Sequence, residues 1–322
     1  MILPILERLQ SGEKFDFQTL ADNVEQTDQY WNWWWEEKAK GNDLSQPEII
    51  EDHDTILTET IGKETVDLST NREFFDSQLF TNPDICSIQP RDDVSRYSFR
   101  NAIKRIAANG SVKLEGRPTI IFSGGGYGSG KTTIINRLAE AKQLPVRPSD
   151  LVSADIFRQL IPEFNLIKAV GDGRASFTVH KECTELTDQL FESLIGGGRS
   201  FVFDSSMGHK GNALRRIEMA KRHGYFLMMV AVLTPLEVAL KFALRRAKLS
   251  RRFPIFNEYK QSHVSFIEEL RNYFEYFDEV KVFANLDETR DIELVAEKKV
   301  GNLLEIANPD VFNSPPFMPI KA

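Results

Sequence analysis

The chain has 322 residues, of which 41% are hydrophobic and 27% charged, a balance that suits a folded globular protein of one or two domains and excludes a low-complexity or fibrous chain. Its net charge of −7 is unevenly spread: residues 1–100 carry 21 Asp and Glu against 9 Lys and Arg, and residues 101–322 carry 26 against 31. No apolar run reaches the ~20 residues of a membrane span, and two cysteines, Cys86 and Cys183, exclude a disulfide framework or a four-cysteine zinc site.

In chain order, MILPILERLQSGEKFDF lacks the basic and apolar regions of a secretory signal, so the expected compartment is the cytoplasm, a reading compatible with delivery by a specialised secretion machine. Residues 1–45 read as helical and include Trp31, Trp33, Trp34 and Trp35. That cluster reads as a core anchor, as an exposed partner patch, or as a stacking platform. Its acidic neighbours Asp28, Glu36 and Glu37 argue against nucleic acid. Residues 46–98 are acidic and loop-rich, with short helices expected around Phe74–Phe80. The stretch Glu48–Glu64 reads either as a solvated linker or as an in-cis inhibitor of a basic cleft. A helix restarts at Phe99 and stops at Asn109-Gly110.

From Arg117 the pattern becomes regular. Strands are expected at PTIIFSG, LVSAD, SFVFDSS, YFLMMVAVL and EVKVFANL, each separated from the next by a helical stretch. This is the pattern of βαβ units and predicts a three-layer α/β sandwich around a mostly parallel five-stranded sheet. The expected organisation is an accessory region at 1–110, an α/β domain at 111–307, and an irregular Pro-rich tail at 308–322.

The strongest motif is Gly125, Gly126, Tyr127, Gly128, Ser129, Gly130, Lys131 and Thr132, which fits G-x-x-x-x-G-K-[ST] between an expected strand and an expected helix. Glycines let backbone N–H groups approach phosphate oxygens, and the helix N-terminus adds partial positive charge. Lys131 would reach the β- and γ-phosphates of ATP, and the Thr132 hydroxyl, with Thr133 beside it, would serve Mg²⁺ and phosphate. No N-K-x-D motif marks a GTPase.

Two carboxylates follow. Asp155, 24 residues after Lys131, reads either as a general base at a strand end or as a helix N-cap before IFRQL. Asp204 ends FVFD and reads as a Mg²⁺ or substrate contact, with Ser205 and Ser206 as polar neighbours, or as a turn residue. The basic run LRRAKLSRRFP offers Arg245, Arg246, Arg251 and Arg252 as lid arginines for the transferring phosphoryl group, or as a solvated helix end.

These segments resemble the zeta-toxin family of P-loop kinases, which is related to chloramphenicol phosphotransferases and polynucleotide kinases. GGYGSGKTT is similar to the family's G-x-P-G-S-G-K-T-S, with Tyr127 in place of the proline. SADIFRQLIPEF resembles its D-x-D-x-F-[KR]-x-x-x-P segment, which implies Asp155 as base and Arg158 as a substrate contact. FVFDSSMG resembles the strand that ends in an acidic residue, usually Glu, which implies a metal or substrate role for Asp204. The resemblance covers about residues 115–290. It implies an ATP- and Mg²⁺-dependent kinase acting on a hydroxyl of UDP-N-acetylglucosamine or another sugar-nucleotide or nucleotide. It also implies a toxin or effector setting with a protein inhibitor. A polynucleotide or small-molecule kinase, and an ATP-binding interaction protein without kinase activity, are the alternative readings.

Overall fold

The computed structural model describes residues 5–13, 116–145, 150–161, 164, 179–250, 256–287 and 292–313, with scattered positions between 23 and 42 and between 100 and 108. Three of the four tryptophans (Trp31, Trp34 and Trp35), the acidic stretch Glu48–Glu64, and Arg251 and Arg252 lie outside the described residues.

Helix α1 (Ile5–Gln10) is followed much later by strand β1 (Thr119–Gly124) and helix α2 (Lys131–Glu140). Next come β2 (Leu151–Val152), α3 (Ala154–Leu160), α4 (His180–Gly196), β3 (Phe201–Asp204), α5 (Lys210–Arg222) and β4 (Phe226–Leu233). The remaining elements are α6 (Leu236–Ser250), α7 (Phe256–Tyr273), β5 (Glu279–Ala284), β6 (Glu293–Lys298), β7 (Glu305–Ile306) and α8 (Pro309–Phe312).

The sheet runs β2-β3-β1-β4-β5-β6-β7. The first five strands are parallel, with Ile120 opposite Phe201 and Leu227, while β6 and β7 add antiparallel to the edge. Among the described residues the sheet therefore has seven strands rather than the expected five. The two extra strands are short or charge-rich edge segments, Glu-Leu-Val-Ala-Glu-Lys and Glu-Ile, without the apolar run that marks a strand buried on both faces.

Strand periodicity builds two cores, because successive side chains point to opposite faces. Ile120 and Phe122 of β1, with Phe201 and Phe203 of β3, pack under α4, α5 and α7 through Phe191, Ile217 and Phe266. Ile121, Val202, Met228 and Val230 face the other way, onto Ile134, Ile135 and Leu138 of α2. Edge-to-face contacts tie the first core together, among them Phe191 to Phe203 at 4.9 Å and Phe122 to Phe277 at 5.5 Å.

Ile103, on the accessory side of the expected division at 110, is fully buried in the first core, and Arg100 pairs with Glu182 of α4 at 2.7 Å. In the N-terminal region the half-buried Trp33 ring lies 5.6 Å from the buried Tyr30 ring. The start of the tail departs from the irregular path expected for it. Asn308 caps α8 through the Val311 amide, and Phe312 is buried against Phe274. No helix among the described residues is long and apolar enough to cross a membrane.

Candidate active site

β1 is the central parallel strand, and the chain leaves it for β2 and β3 on one side and β4 and β5 on the other. Open α/β sheets place ligands at the carboxyl ends of strands where the winding reverses in this way. A cleft of about 500 Å³ lies there, lined by the β1–α2 loop, Asp155, Asp204, Phe242, Arg245, Arg246, Asn285 and Ile292.

Packing forces the loop's composition. A Cβ on Gly126 would fall 2.0 Å from Nδ1 of His263, and one on Gly128 would fall 2.2 Å from the Ala239 carbonyl oxygen. Gly128 also has φ +83°, a left-handed conformation that glycine adopts without strain. The Ser129 carbonyl accepts hydrogen bonds from Thr234 Oγ1 at 3.1 Å and Asn285 Nδ2 at 3.0 Å, which moors the loop to the ends of β4 and β5. Lys131 Nζ donates to the carbonyls of Gly125 and Gly126 at 2.9 and 3.0 Å, so its ammonium curls over the loop. Gly130, Lys131, Thr132 and Thr133 line the cleft at the start of α2.

Asp204 ends β3 beside Ser123 at the end of β1, in direct parallel register. The buried Ser123 hydroxyl donates to Asp204 Oδ1 at 2.6 Å, a charge-assisted bond that fixes the carboxylate at the cleft wall. Ser206 does not line the cleft. Its hydroxyl pairs with Ser262 at 2.7 Å and its carbonyl accepts from the Gly125 amide at 3.3 Å, so it braces the loop from behind.

Asp155 does not end a strand. β2 stops at Val152, Ser153 occupies the N-cap position, and Asp155 falls in the first turn of α3, where a carboxylate suits the helix dipole. The Arg158 guanidinium pairs with Asp155 Oδ1, and Arg246 lies 3.5 Å from Oδ2. Arg158 is nearly buried and does not line the cleft; its other NH group meets His180 Nδ1 at 2.9 Å. Arginine has only donors, so this contact places the acceptor lone pair of His180 on Nδ1. Arg245 and Arg246 project from α6 into the cleft, and the Arg246 guanidinium sits 4.9 Å from the centre of the Tyr127 ring.

Sequence reasoning missed Ser123, Phe242, His263, Asn285 and Ile292. Asn285 follows β5 directly, the same strand-end position as Asp204, but an uncharged side chain there gives no signal in the sequence. His263 carries no local signal. It is buried on α7, its Nε2 donates to the Thr234 carbonyl at 2.9 Å, and burial, with Lys131 nearby, pushes its pKa down to about 4.

The arrangement joins a glycine-rich G-x-x-x-x-G-K-T loop, two cleft carboxylates and three cationic side chains. Among the described residues, no group of three or more His, Cys, Asp or Glu could hold a metal ion by itself. A divalent cation would therefore take the Thr132 hydroxyl, Asp204 and phosphate oxygens, the pattern of Mg²⁺-nucleotide sites. The residues present fit such a group.

A family model described as Zeta toxin matches residues 104–296. A solved structure of an AvrRxo1-ORF1:AvrRxo1-ORF2 complex with ATP is 20% identical, with a TM-score of 0.56 over 70% of this chain and 74% of that chain. A structure from the PezAT chromosomal toxin-antitoxin system of the human pathogen Streptococcus pneumoniae is also 20% identical, with a TM-score of 0.50 over 67% and 85%. Among curated proteins none matches.

Proposed function

The chain belongs to the zeta-toxin family, and from that premise we propose that it is an ATP-dependent kinase that phosphorylates a hydroxyl of a sugar-nucleotide or nucleotide. One observation carries the reading: Asp155, Arg245 and Arg246 share a single cleft with the phosphate loop and Lys131. The β- and γ-phosphates would lie on the amides of residues 125–132, and Lys131 would exchange the carbonyls of Gly125 and Gly126 for phosphate oxygens. Thr132 and Asp204 would hold Mg²⁺, which would supply positive charge against the phosphates.

The acceptor oxygen attacks the γ-phosphorus as the bond to the β–γ bridging oxygen breaks, so ADP leaves with that electron pair. Asp155 takes the hydroxyl proton. Base assistance of this type contributes roughly 10²–10⁴ in rate. Arg245 and Arg246, with Lys131, stabilise the charge spread over the equatorial oxygens. Arg158 holds Asp155 from its buried side and acts as a positioning residue rather than a substrate contact. A protein inhibitor belongs to the same reading, since the related structures are described as a two-component complex and a toxin-antitoxin system.

The test is ATP consumption with UDP-N-acetylglucosamine, free nucleotides and short oligonucleotides as acceptors, for wild type and Asp155→Asn. The acceptor that supports turnover discriminates the sugar-nucleotide and polynucleotide readings. Turnover in Asp155→Asn should fall at least 100-fold. Equal turnover would overturn the assignment of the base, and ATP binding without turnover on any acceptor would favour the interaction-protein reading.

A further inference from the structure

Tyr127 lies within the glycine-rich loop that lines the cleft, and its ring has a cationic neighbour. The Arg246 guanidinium lies 4.9 Å from the ring centre, within the range of a cation–π contact. The same guanidinium reaches Asp155 at 3.5 Å, so Arg246 spans from the phosphate loop to the candidate base across the mouth of the cleft. The Tyr127 ring is itself supported. Tyr259 meets it edge-on at 6.4 Å with planes at 86°, and Tyr259 in turn packs against the buried His263 at 6.1 Å. A half-exposed arginine on a helix surface ordinarily samples many rotamers; a fixed aromatic face restricts that search before any phosphate arrives.

We propose that Tyr127 is a positioning residue whose ring presets Arg246 over the phosphate loop, so that the guanidinium meets the γ-phosphoryl group without reorganising. This inference rests on the kinase reading and assigns the loop tyrosine a part in turnover distinct from holding phosphate through backbone amides. The ring acts through Arg246 alone, so its contribution vanishes when the guanidinium is absent.

The experiment is a double-mutant cycle of Tyr127→Leu and Arg246→Ala on the full chain, with Tyr127→Phe as the conservative variant and Asp155→Asn alongside. Tyr127→Leu should lower kcat about ten-fold with the Kd for ATP changed less than about two-fold, as expected for loss of a partly desolvated cation–π contact. Tyr127→Phe should recover at least about a third of wild-type turnover, and Tyr127→Leu should cost nothing further in the Arg246→Ala background.

Equal losses in both backgrounds would overturn the proposal, as would a failure of phenylalanine to recover turnover. A rise in kcat for Tyr127→Leu would overturn it too, by showing the contact to be a latch. Absence of ATP turnover in wild type on every acceptor would instead defeat the kinase reading itself. A second measurement needs no acceptor. The Arg246 Nε–H resonance, identified by its loss in Arg246→Lys, should be displaced upfield by the Tyr127 ring current in wild type and Tyr127→Phe. In Tyr127→Leu that displacement should vanish, and its persistence there overturns the proposal.

Discussion

Gly126→Ala isolates the packing beneath the phosphate loop. Gly126 does not have the positive φ of Gly125, Gly128 and Gly130, so the added methyl group brings no backbone strain, only contact. Its Cβ would sit 2.0 Å from His263 Nδ1 and 2.9 Å from Cγ, about 1.5 Å inside ordinary van der Waals distance. The imidazole cannot easily yield, because it is buried and its Nε2 is bonded to the Thr234 carbonyl. Moving the ring costs that hydrogen bond, about 1 kcal/mol, and overpacking adds about 1–3 kcal/mol. A total of about 2–4 kcal/mol should lower the thermal midpoint by roughly 5–10 °C. If the loop moves instead, the cost appears as weaker ATP binding, so calorimetric titration with ATP accompanies the melt. In a His263→Ala background the same Gly126→Ala change should cost less than about 1 kcal/mol, because the obstructing ring is gone. Wild-type melting and ATP affinity in Gly126→Ala, or an unchanged penalty without the ring, would refute the reasoning.

Ser123→Ala removes the hydroxyl that holds Asp204 Oδ1. A hydrogen bond to a charged group is worth about 1.5–3 kcal/mol, so kcat/KM should fall roughly ten-fold or more while the fold remains intact by circular dichroism. His263 should make stability depend on acid. With a folded pKa of about 4 against 6.5 unfolded, the unfolded chain binds the extra proton between those values. Stability should therefore fall as pH drops from about 6.5 to about 4, then level off in this contribution. His263→Phe should flatten that slope in denaturant titrations at a series of pH values. Lys131→Ala should abolish stabilisation by nucleotide: in wild type, ATP at about 100 times its Kd contributes about 2.7 kcal/mol, a rise of roughly 5–10 °C in the midpoint, and the variant should show none at the same concentration.

Much of this site is written locally. Thr119–Thr132 is one uninterrupted strand, loop and helix start, and a glycine run closing on Lys-Thr can be recognised without its neighbours because backbone geometry and phosphate chemistry together restrict the residue types. The apolar run of β3 likewise marks Asp204, since a charge after buried strand residues must emerge at the sheet's edge. Local cues are weaker where two structures share one sequence pattern. Leu151–Asp155 reads as a strand with a terminal carboxylate, yet the strand is two residues long and Asp155 belongs to the next helix. β6 carries no strand signature in the sequence because an edge strand needs no continuous apolar run.

By itself the sequence determined that this chain carries a G-x-x-x-x-G-K-T loop on a parallel α/β scaffold, because strand alternation, helix spacing and glycine placement are short-range constraints. Only the tertiary structure decided which distant groups meet that loop. The order β2-β3-β1-β4-β5 lays Ser123 beside Asp204, while α6 carries Arg246 onto Tyr127 and Asp155, and α7 seats His263 beneath Gly126. Segments as far apart as Ser129 and Asn285, 156 residues, converge through sheet order and helix packing, and those follow from burying two apolar faces at once rather than from any local run of residues.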